Sequence, residues 1–188
     1  MADATGLKKI NTELVRKALR QGGVMSKNDF ARATGLSFPT VSRTVDALVQ
    51  LGELRQAGAA ASTGGRCAQR YERDPRFRVM LCARLEGRRL SYEVRDLDGV
   101  VLEQAEQPPS ASVLEMLDEL AVQVREKYPN LGGAALGVDC SIRSGVVCET
   151  MSYHELLGVD LAERLRQAAG VPAAAERDMH LAAAGYCV

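Results

Sequence analysis

The feature that most constrains the fold is the stretch at residues 37–52, which contains the start, the apolar stripe and the end of one helix. Ser37 is suited to an N-cap, Pro39 is tolerated in a first helical turn, and Gly52 offers a C-terminal stop. Apolar residues recur at helical spacing at Val41, Val45, Leu48 and Val49. Such a stripe must pack on other helices, so this helix is predicted to belong to a larger helical unit.

The other face of this predicted helix begins with short hydroxyl side chains and an arginine. These residues are Ser37, Thr40, Ser42 and Arg43. At a helix N-terminus such side chains can approach phosphates and base edges closely, and the helix dipole favours an anion there. The pattern indicates a DNA-reading helix, although an ordinary capped amphipathic helix would share it.

Two further helices are predicted ahead of this one. The first covers residues 11–20 with Asn11 as its cap, and the second covers residues 27–34 with Ser26 as its cap. Gly35 then breaks the chain. A helix, a short helix, a turn containing glycine and a longer helix follow one another in a helix-turn-helix, which strengthens the DNA-binding interpretation.

A strand, a loop of small residues and a second strand are predicted next, at residues 53–56, 57–65 and 66–72. A strand pair directly after a recognition helix is typical of a wing. Arg66 and Arg70 would place positive charge on it, and the loop glycines would let its backbone approach a duplex. A flexible linker rich in Ala and Gly is the alternative, but the arginines that follow at once favour the wing.

The formal net charge of zero conceals a division along the chain. Residues 1–80 hold fourteen Lys and Arg against seven Asp and Glu, which leaves +7, whereas residues 81–188 hold ten against seventeen, which leaves −7. A basic unit suits a polyanionic partner. We therefore predict a DNA-binding domain at residues 1–76 and a separate acidic domain at residues 77–188.

The acidic part has the pattern of a mixed sheet with helices. Three strands joined by short turns are predicted at residues 78–85, 89–96 and 100–104. A helix capped by Ser112, two strands, a second helix, a short strand and a final helix beginning at Asp178 follow. The predicted fold class is α+β, with an α/β second domain around a mixed sheet.

Composition excludes several classes of protein. No apolar run reaches the roughly 18 residues of a membrane span, and the N-terminus lacks the apolar core of a signal peptide, so a cytoplasmic location is predicted. The five cysteines form no C-x-x-C pair and have only two histidines beside them. We therefore predict no metal site and no cofactor.

The chain resembles the ROK family, which groups repressors, uncharacterised reading frames and sugar kinases. Residues 11–52 are similar to the helix-turn-helix of its regulators, and residues 62–66, Ser-Thr-Gly-Gly-Arg, are similar to its wing. Residues 77–188 resemble the first lobe of its actin-like (ribonuclease-H-like) sugar-kinase domain, including Gly-Val-Asp-Leu at residues 158–161.

The resemblance implies a transcriptional regulator, a repressor, that reads double-stranded operator DNA as a homodimer. The residues expected to contact DNA are Lys27, Ser37, Phe38, Pro39, Thr40, Ser42, Arg43, Thr44, Gly64, Gly65, Arg66 and Arg70. Lys8 and Lys9 are either phosphate contacts or solvated charges. A sugar effector for the second lobe is a further implication.

Departures from the kinase pattern argue against catalysis. Where kinases of the family have a D-x-G-G-T phosphate loop, this chain has Arg84, Glu86 and Arg88 at the positions of the Asp, a Gly and the Thr. Glu86 would face the anion, and the metal-linked carboxylate is replaced. The family's general base aligns with Asp178, beside Arg177 in place of an Asn, so Asp178 is either a vestigial sugar contact or a helix N-cap.

Length supports the same expectation. The family's zinc motif, its second sugar-binding carboxylate and its nucleotide-binding lobe align beyond residue 188, so we expect no nucleotide, no zinc and no enzyme activity. A sugar kinase and a decayed fragment without activity are the alternatives. A half-domain would expose apolar surface, which predicts dimerisation through residues 131–138 and 181–188.

Overall fold

The computed structural model describes residues 4–59, 68–108, 112–143 and 145–178. The chain forms two compact units, Met1–Phe77 and Arg78–Val188, and each has its own hydrophobic core. The predicted division lay one residue earlier. No helix in the described ranges has the length and apolar character needed to cross a bilayer.

The first unit consists of three helices and a small sheet. Its elements are α1 (Ala4–Gly22), β1 (Met25–Ser26), α2 (Lys27–Thr34), α3 (Phe38–Gln50), β2 (Leu54–Ala59) and β3 (Gln69–Arg73), followed by a 3₁₀ turn (Pro75–Phe77). The three strands pair antiparallel in the order β1-β3-β2. The sheet therefore ties the chain after α3 back to the start of α2.

The apolar stripe predicted on α3 is the centre of this core. Val41, Val45 and Leu48 are buried, and they pack with Val15 of α1 and Phe30 of α2. Burial of each such side chain contributes on the order of 2 kcal/mol relative to exposure. The stripe therefore fixes which face of α3 is turned inward.

The first helix is longer than predicted. It begins at Ala4, so Asn11 lies inside it and does not cap it. The preceding residues include Ala, Leu and Lys, which are strong helix formers, and Thr12 Oγ1 donates to the Lys8 carbonyl at 2.9 Å. A residue that is able to act as an N-cap does not mark the start of a helix when the residues before it also favour helix.

The sequence did not indicate β1, since two residues have no periodicity. Met25 pairs with Tyr71 and Ser26 with Arg70, so only the partner strand reveals it. The second strand of the predicted wing, β3, begins at Gln69. Gly64, Gly65 and Arg66 lie outside the described residues.

Three serines were predicted as N-caps, and the two in the first unit behave differently. The Ser26 hydroxyl accepts from the Asp29 backbone N–H at 3.2 Å, while the Asp29 carboxylate accepts from the Ser26 N–H at 2.9 Å. The Ser26 hydroxyl also donates to Asp29 Oδ2 at 2.7 Å, and this bond, with the bond from the Ser26 N–H, lowers the pKa of Asp29 to about 2. Ser37 occupies the N-cap position of α3, but its side chain accepts no capping hydrogen bond and instead lies 2.9 Å from Thr40 Oγ1.

The described part of the second unit contains a mixed sheet and two α-helices. Its elements are β4 (Val79–Glu86), β5 (Arg89–Asp96), β6 (Val101–Glu106), α4 (Val113–Lys127), β7 (Leu131–Val138), β8 (Ser141–Arg143), β9 (Val146–Glu149), a 3₁₀ turn (His154–Leu156), α5 (Leu161–Ala169) and β10 (Ala173–Arg177). The main sheet has the order β10-β7-β4-β5-β6, and β8 and β9 form a separate hairpin. The predicted α+β class with a mixed sheet is confirmed: β10, β7 and β4 are parallel, and β4, β5 and β6 are antiparallel.

One predicted dimer surface is wrong. Residues 131–138 form β7, which pairs with β4 on one side and β10 on the other. Leu131, Leu136 and Val138 are buried in the core. The apolar run reflects a central strand of a covered sheet rather than an exposed patch. The other candidate, residues 181–188, lies outside the described residues, as does the predicted final helix after Asp178.

The two serine caps provide a matched stability test. We expect Ser26→Ala to lower the free energy of unfolding of the first unit by about 1 kcal/mol, since it removes both the cap acceptor and a partner of Asp29. Ser37→Ala should cost only a few tenths of that, because no capping bond is lost. Urea denaturation followed by circular dichroism measures both, and equal losses would contradict the assignment.

Candidate nucleic-acid interface

The outer face of α3 forms a solvent-exposed ridge in the first unit. It carries Pro39, Arg43, Asp46 and Gln50, and Ser37 and Phe38 are exposed at the N-terminal end. The Phe38 side chain is 50% exposed, so its aromatic ring is accessible at the start of the helix. The ridge presents a cation, an anion, an aromatic ring and amide groups along one helix face.

Arg43 is the accessible cation of this ridge. Its guanidinium Nε donates to the Pro39 carbonyl one turn earlier at 3.3 Å, which is a weak contact on an exposed face. An arginine held by a weak contact of this kind remains able to form a bidentate pair with a guanine edge or a phosphate. The position predicted for a base-reading arginine is therefore open to solvent.

Lys27 and Ser42 form a hydrogen-bonded cluster with Asp46. Lys27 Nζ lies 2.6 Å from Asp46 Oδ1 and 2.9 Å from Ser42 Oγ. The Ser42 hydroxyl also lies 3.2 Å from Asp46 Oδ2, and the Lys27 ammonium stands 5.8 Å from the centre of the Tyr71 ring. The lysine predicted to contact phosphate thus already has a carboxylate partner within the chain.

The predicted threonines lie beside this ridge rather than on its crest. Thr44 Oγ1 donates to the Thr40 carbonyl at 2.9 Å, and both residues are half-buried. Together with Arg43 they line a groove of about 500 Å³ between α3 and the N-terminal half of α1. The α1 side of this groove contributes Leu7 and Lys8 among others.

The base of the predicted wing lies on the other side of α3. A cleft of about 170 Å³ there is lined by Lys27, Asn28, Phe38, Gln69 and Tyr71 among others. Arg70 points inward from β3, and its Nη2 donates to the Val24 carbonyl at 2.6 Å. Arg70 therefore anchors the sheet to the chain ahead of α2, and its predicted contact with DNA stays a prediction.

Sequence reasoning missed Asp46 as a functional candidate. Its position could have been found from spacing alone, because residues 42, 43 and 46 share one face of a helix. Asn28 and Gln69 were also missed, because they come from two elements that only the fold brings together at one cleft.

The carboxyl edge of the main sheet contains Arg84, Glu86 and Arg88, the residues predicted to replace the kinase phosphate loop. β4 and β5 are joined by Gly87 and Arg88, both at positive φ (52° and 62°), so the segment is a two-residue hairpin turn. The Arg88 backbone N–H donates to Tyr153 Oη at 3.4 Å, and its guanidinium lies 3.2 Å from Glu155. Both the backbone and the side chain of Arg88 in this turn therefore contact residues of the same unit.

Asp178 is also engaged within this edge. Arg84 Nε donates to Asp178 Oδ2, and Arg84 Nη2 lies 3.2 Å from Glu86. The hydrogen bond to Asp178 and the two neighbouring carboxylates raise the pKa of Arg84. Arg84, predicted to replace the loop aspartate, therefore binds the carboxylate that was predicted to align with the family's general base. Within the described ranges no group of three or more His, Cys, Asp and Glu side chains is placed to hold a metal ion.

No family model and no curated relative matches this sequence, and the similarity lies in structure. A ROK family transcriptional regulator, a homologue of the Mlc protein of E. coli, matches with a TM-score of 0.64 at 20% identity over 92% of this chain and 46% of its own. A putative sugar kinase from Cytophaga hutchinsonii matches with a TM-score of 0.51 at 16% identity over 57% of this chain and 38% of its own.

The chain therefore has the α+β fold of the ROK family, and the resemblance seen in the sequence is confirmed at the level of the fold. It spans about half the length of the regulator that it matches. Nothing about catalysis follows from where the chain ends. The expectation that was based on length is therefore set aside, and the question of catalysis depends on the residues of the site.

The Arg84–Asp178 pair can be tested by stability. We expect Arg84→Ala to lower the free energy of unfolding of the second unit by up to about 1 kcal/mol, since it leaves the mostly covered Asp178 carboxylate without this partner. Arg89→Ala should cost less, because Arg89 and Glu106 are both largely exposed. Thermal unfolding of both variants measures this, and a larger loss for Arg89→Ala would refute the assignment.

Proposed function

We propose that this protein is a DNA-binding transcriptional regulator of the ROK type, a repressor that reads operator DNA as a homodimer. In this proposal the first unit is a winged helix-turn-helix, and the second unit is a non-catalytic lobe that serves dimerisation and effector sensing. The exposed ridge of α3 is the observation that carries the proposal.

The arrangement of the first unit supports a helix-turn-helix. α2 and α3 are joined through Gly35, which adopts a left-handed conformation with a φ of 70° and donates its N–H to the Ala31 carbonyl at 3.0 Å. A tight glycine turn between two packed helices is typical of this class, and its second helix enters the major groove. In this chain that second helix is α3.

The antiparallel pair β2–β3 supports the assignment of a wing. It follows α3 directly, and residues 60–67, which separate its two strands in the sequence, include the glycines and Arg66 predicted to contact DNA. Arg70 anchors the base of this pair through Val24. We infer that Arg66 contacts phosphate and that Arg70 positions the strand.

The structural matches support the fold on which this proposal is built. The regulator accounts for 92% of this chain, whereas the putative kinase accounts for 57%. At these identities the likeness shows only the fold, so the regulatory role rests on the ridge and on the +7 charge of residues 1–80. A cytoplasmic location is part of the same proposal.

The proposed lack of catalysis rests on the carboxyl edge of the main sheet. A phosphate-binding turn needs backbone N–H groups free to meet an anion, with no acidic side chain facing it. Here Glu86 flanks the turn, the Arg88 N–H is bonded to Tyr153, and Asp178 is bonded to Arg84. A sugar effector would have to compete with Arg84 for the Asp178 carboxylate.

DNA binding provides the main test. In fluorescence anisotropy with the operator duplex, Arg43→Ala should weaken specific binding by about 1 to 3 kcal/mol, because it removes a bidentate contact to a base edge. Arg66→Ala should weaken binding to all duplexes alike and reduce the salt slope by about one. Sedimentation should show two chains per duplex, on half-sites about 34 Å apart.

Lys17→Ala is the matched control for these arginines. Lys17 is exposed on α1 two residues from the buried Val15, which places it on the far side of that helix from the core. Its loss removes one positive charge from the same unit without touching α3 or the wing. If Arg43→Ala and Arg66→Ala bind DNA no more weakly than Lys17→Ala, the assignment of helix and wing is wrong.

A sugar kinase is the second candidate, favoured by the fold shared with the putative kinase and by Asp178 at the expected position. A coupled assay with ATP and a panel of hexoses distinguishes the two candidates. We expect no turnover by the parent chain. Turnover that disappears in Asp178→Ala would establish the kinase and overturn the non-catalytic proposal.

A further inference from the structure

Asp46 occupies a base-reading position on α3. A helix in the major groove contacts bases through residues spaced i, i+3, i+4 and i+7, since these share one face. Counted from Pro39, those positions are Ser42, Arg43 and Asp46. Asp46 is exposed on the same ridge as Arg43, with 54% of its side chain open to solvent.

A carboxylate at this position is selective because DNA offers it few favourable contacts. The phosphates repel it, and most base atoms in the major groove are acceptors that repel it as well. The donors are the N4 amino group of cytosine and the N6 amino group of adenine, and adenine also places its N7 acceptor beside that donor. Cytosine is therefore the base that an exposed carboxylate prefers.

The contacts of Asp46 leave one oxygen available for such a bond. Lys27 Nζ holds Oδ1 at 2.6 Å, and the Lys27 side chain is only 20% exposed, so this ion pair is anchored against the body of the domain. Oδ2 has the longer contact, 3.2 Å to the hydroxyl of Ser42. A hydroxyl can rotate away, whereas the Lys27 contact fixes the direction of the carboxylate.

We propose that Asp46 is a specificity-determining residue that accepts a hydrogen bond from the N4 amino group of cytosine in the operator, with Lys27 as the positioning residue that aims its carboxylate. This inference rests on the proposed DNA-binding function and adds the base that one named side chain selects. It also gives Lys27 a role other than a phosphate contact.

Selection from a pool of randomised duplexes, followed by sequencing, tests the inference. The parent chain should select a cytosine in each half-site. Asp46→Asn should shift that preference towards adenine, because an amide bonds to N6 and N7 together, and Asp46→Ala should lose the preference. At that position, replacing C·G by T·A should weaken parent binding on the order of 10- to 100-fold and leave Asp46→Ala binding nearly unchanged.

Glu13→Gln is the matched control. Glu13 is paired with an arginine at 2.6 Å in the same unit and is 62% exposed, so the change removes an equally exposed acidic charge away from α3. Glu13→Gln should keep the cytosine preference of the parent. Lys27→Met should reduce the preference without shifting it to another base.

The outcomes separate the two proposals. If the parent chain selects no sequence and shows no salt-dependent binding, the proposed function itself is wrong. If it binds DNA but the parent, Asp46→Asn and Asp46→Ala proteins select the same base at every position, DNA binding stands and the role of Asp46 is refuted. Circular dichroism of each variant confirms that the compared proteins are folded.

Discussion

Burial of the apolar stripe of α3 is the interaction on which the proposed interface depends. Val41, Val45 and Leu48 are covered by Val15 and Phe30 from the two preceding helices. Because residues on one helix have fixed angular positions, burial of these three turns Arg43 and Asp46 to solvent. The same packing leaves Thr40 and Thr44 facing the groove beside α1. The core therefore selects which polar side chains can meet a partner.

Charge pairing governs what the exposed polar residues are able to do. In the first unit, Lys27 and Asp46 form an ion pair beside Arg43. Lys27 would have to leave this carboxylate to bind an anion, whereas Arg43, which contacts the Pro39 carbonyl, would not. In the second unit, Arg84 engages Asp178 at the edge where the fold's kinases are expected to bind sugar and phosphate. Both pairs show that a residue type suited to a ligand can already be committed within the protein.

Much of the fold could be predicted from the sequence because local patterns were strong. The α3 stripe, the meander of β4, β5 and β6, and the capping serines Ser26 and Ser112 were all visible as periodicity or cap residues. The two-residue strand β1 and the inward turn of Arg70 were not visible, since each depends on a partner distant in the chain. The supposed dimer surface at residues 131–138 failed for a similar reason: an apolar run does not reveal whether a sheet or another subunit covers it.

The sequence by itself determined the division into a basic and an acidic part, the order of the helices before the β2–β3 pair, and the presence of Arg84, Glu86 and Arg88 near one turn. Each of these is a property of neighbouring residues or of composition. Only the tertiary structure decided that Lys27 pairs with Asp46 and that Arg84 pairs with Asp178, 19 and 94 residues apart in the chain. Pairings at such separations follow from how the elements pack, because no local pattern encodes which distant side chains meet.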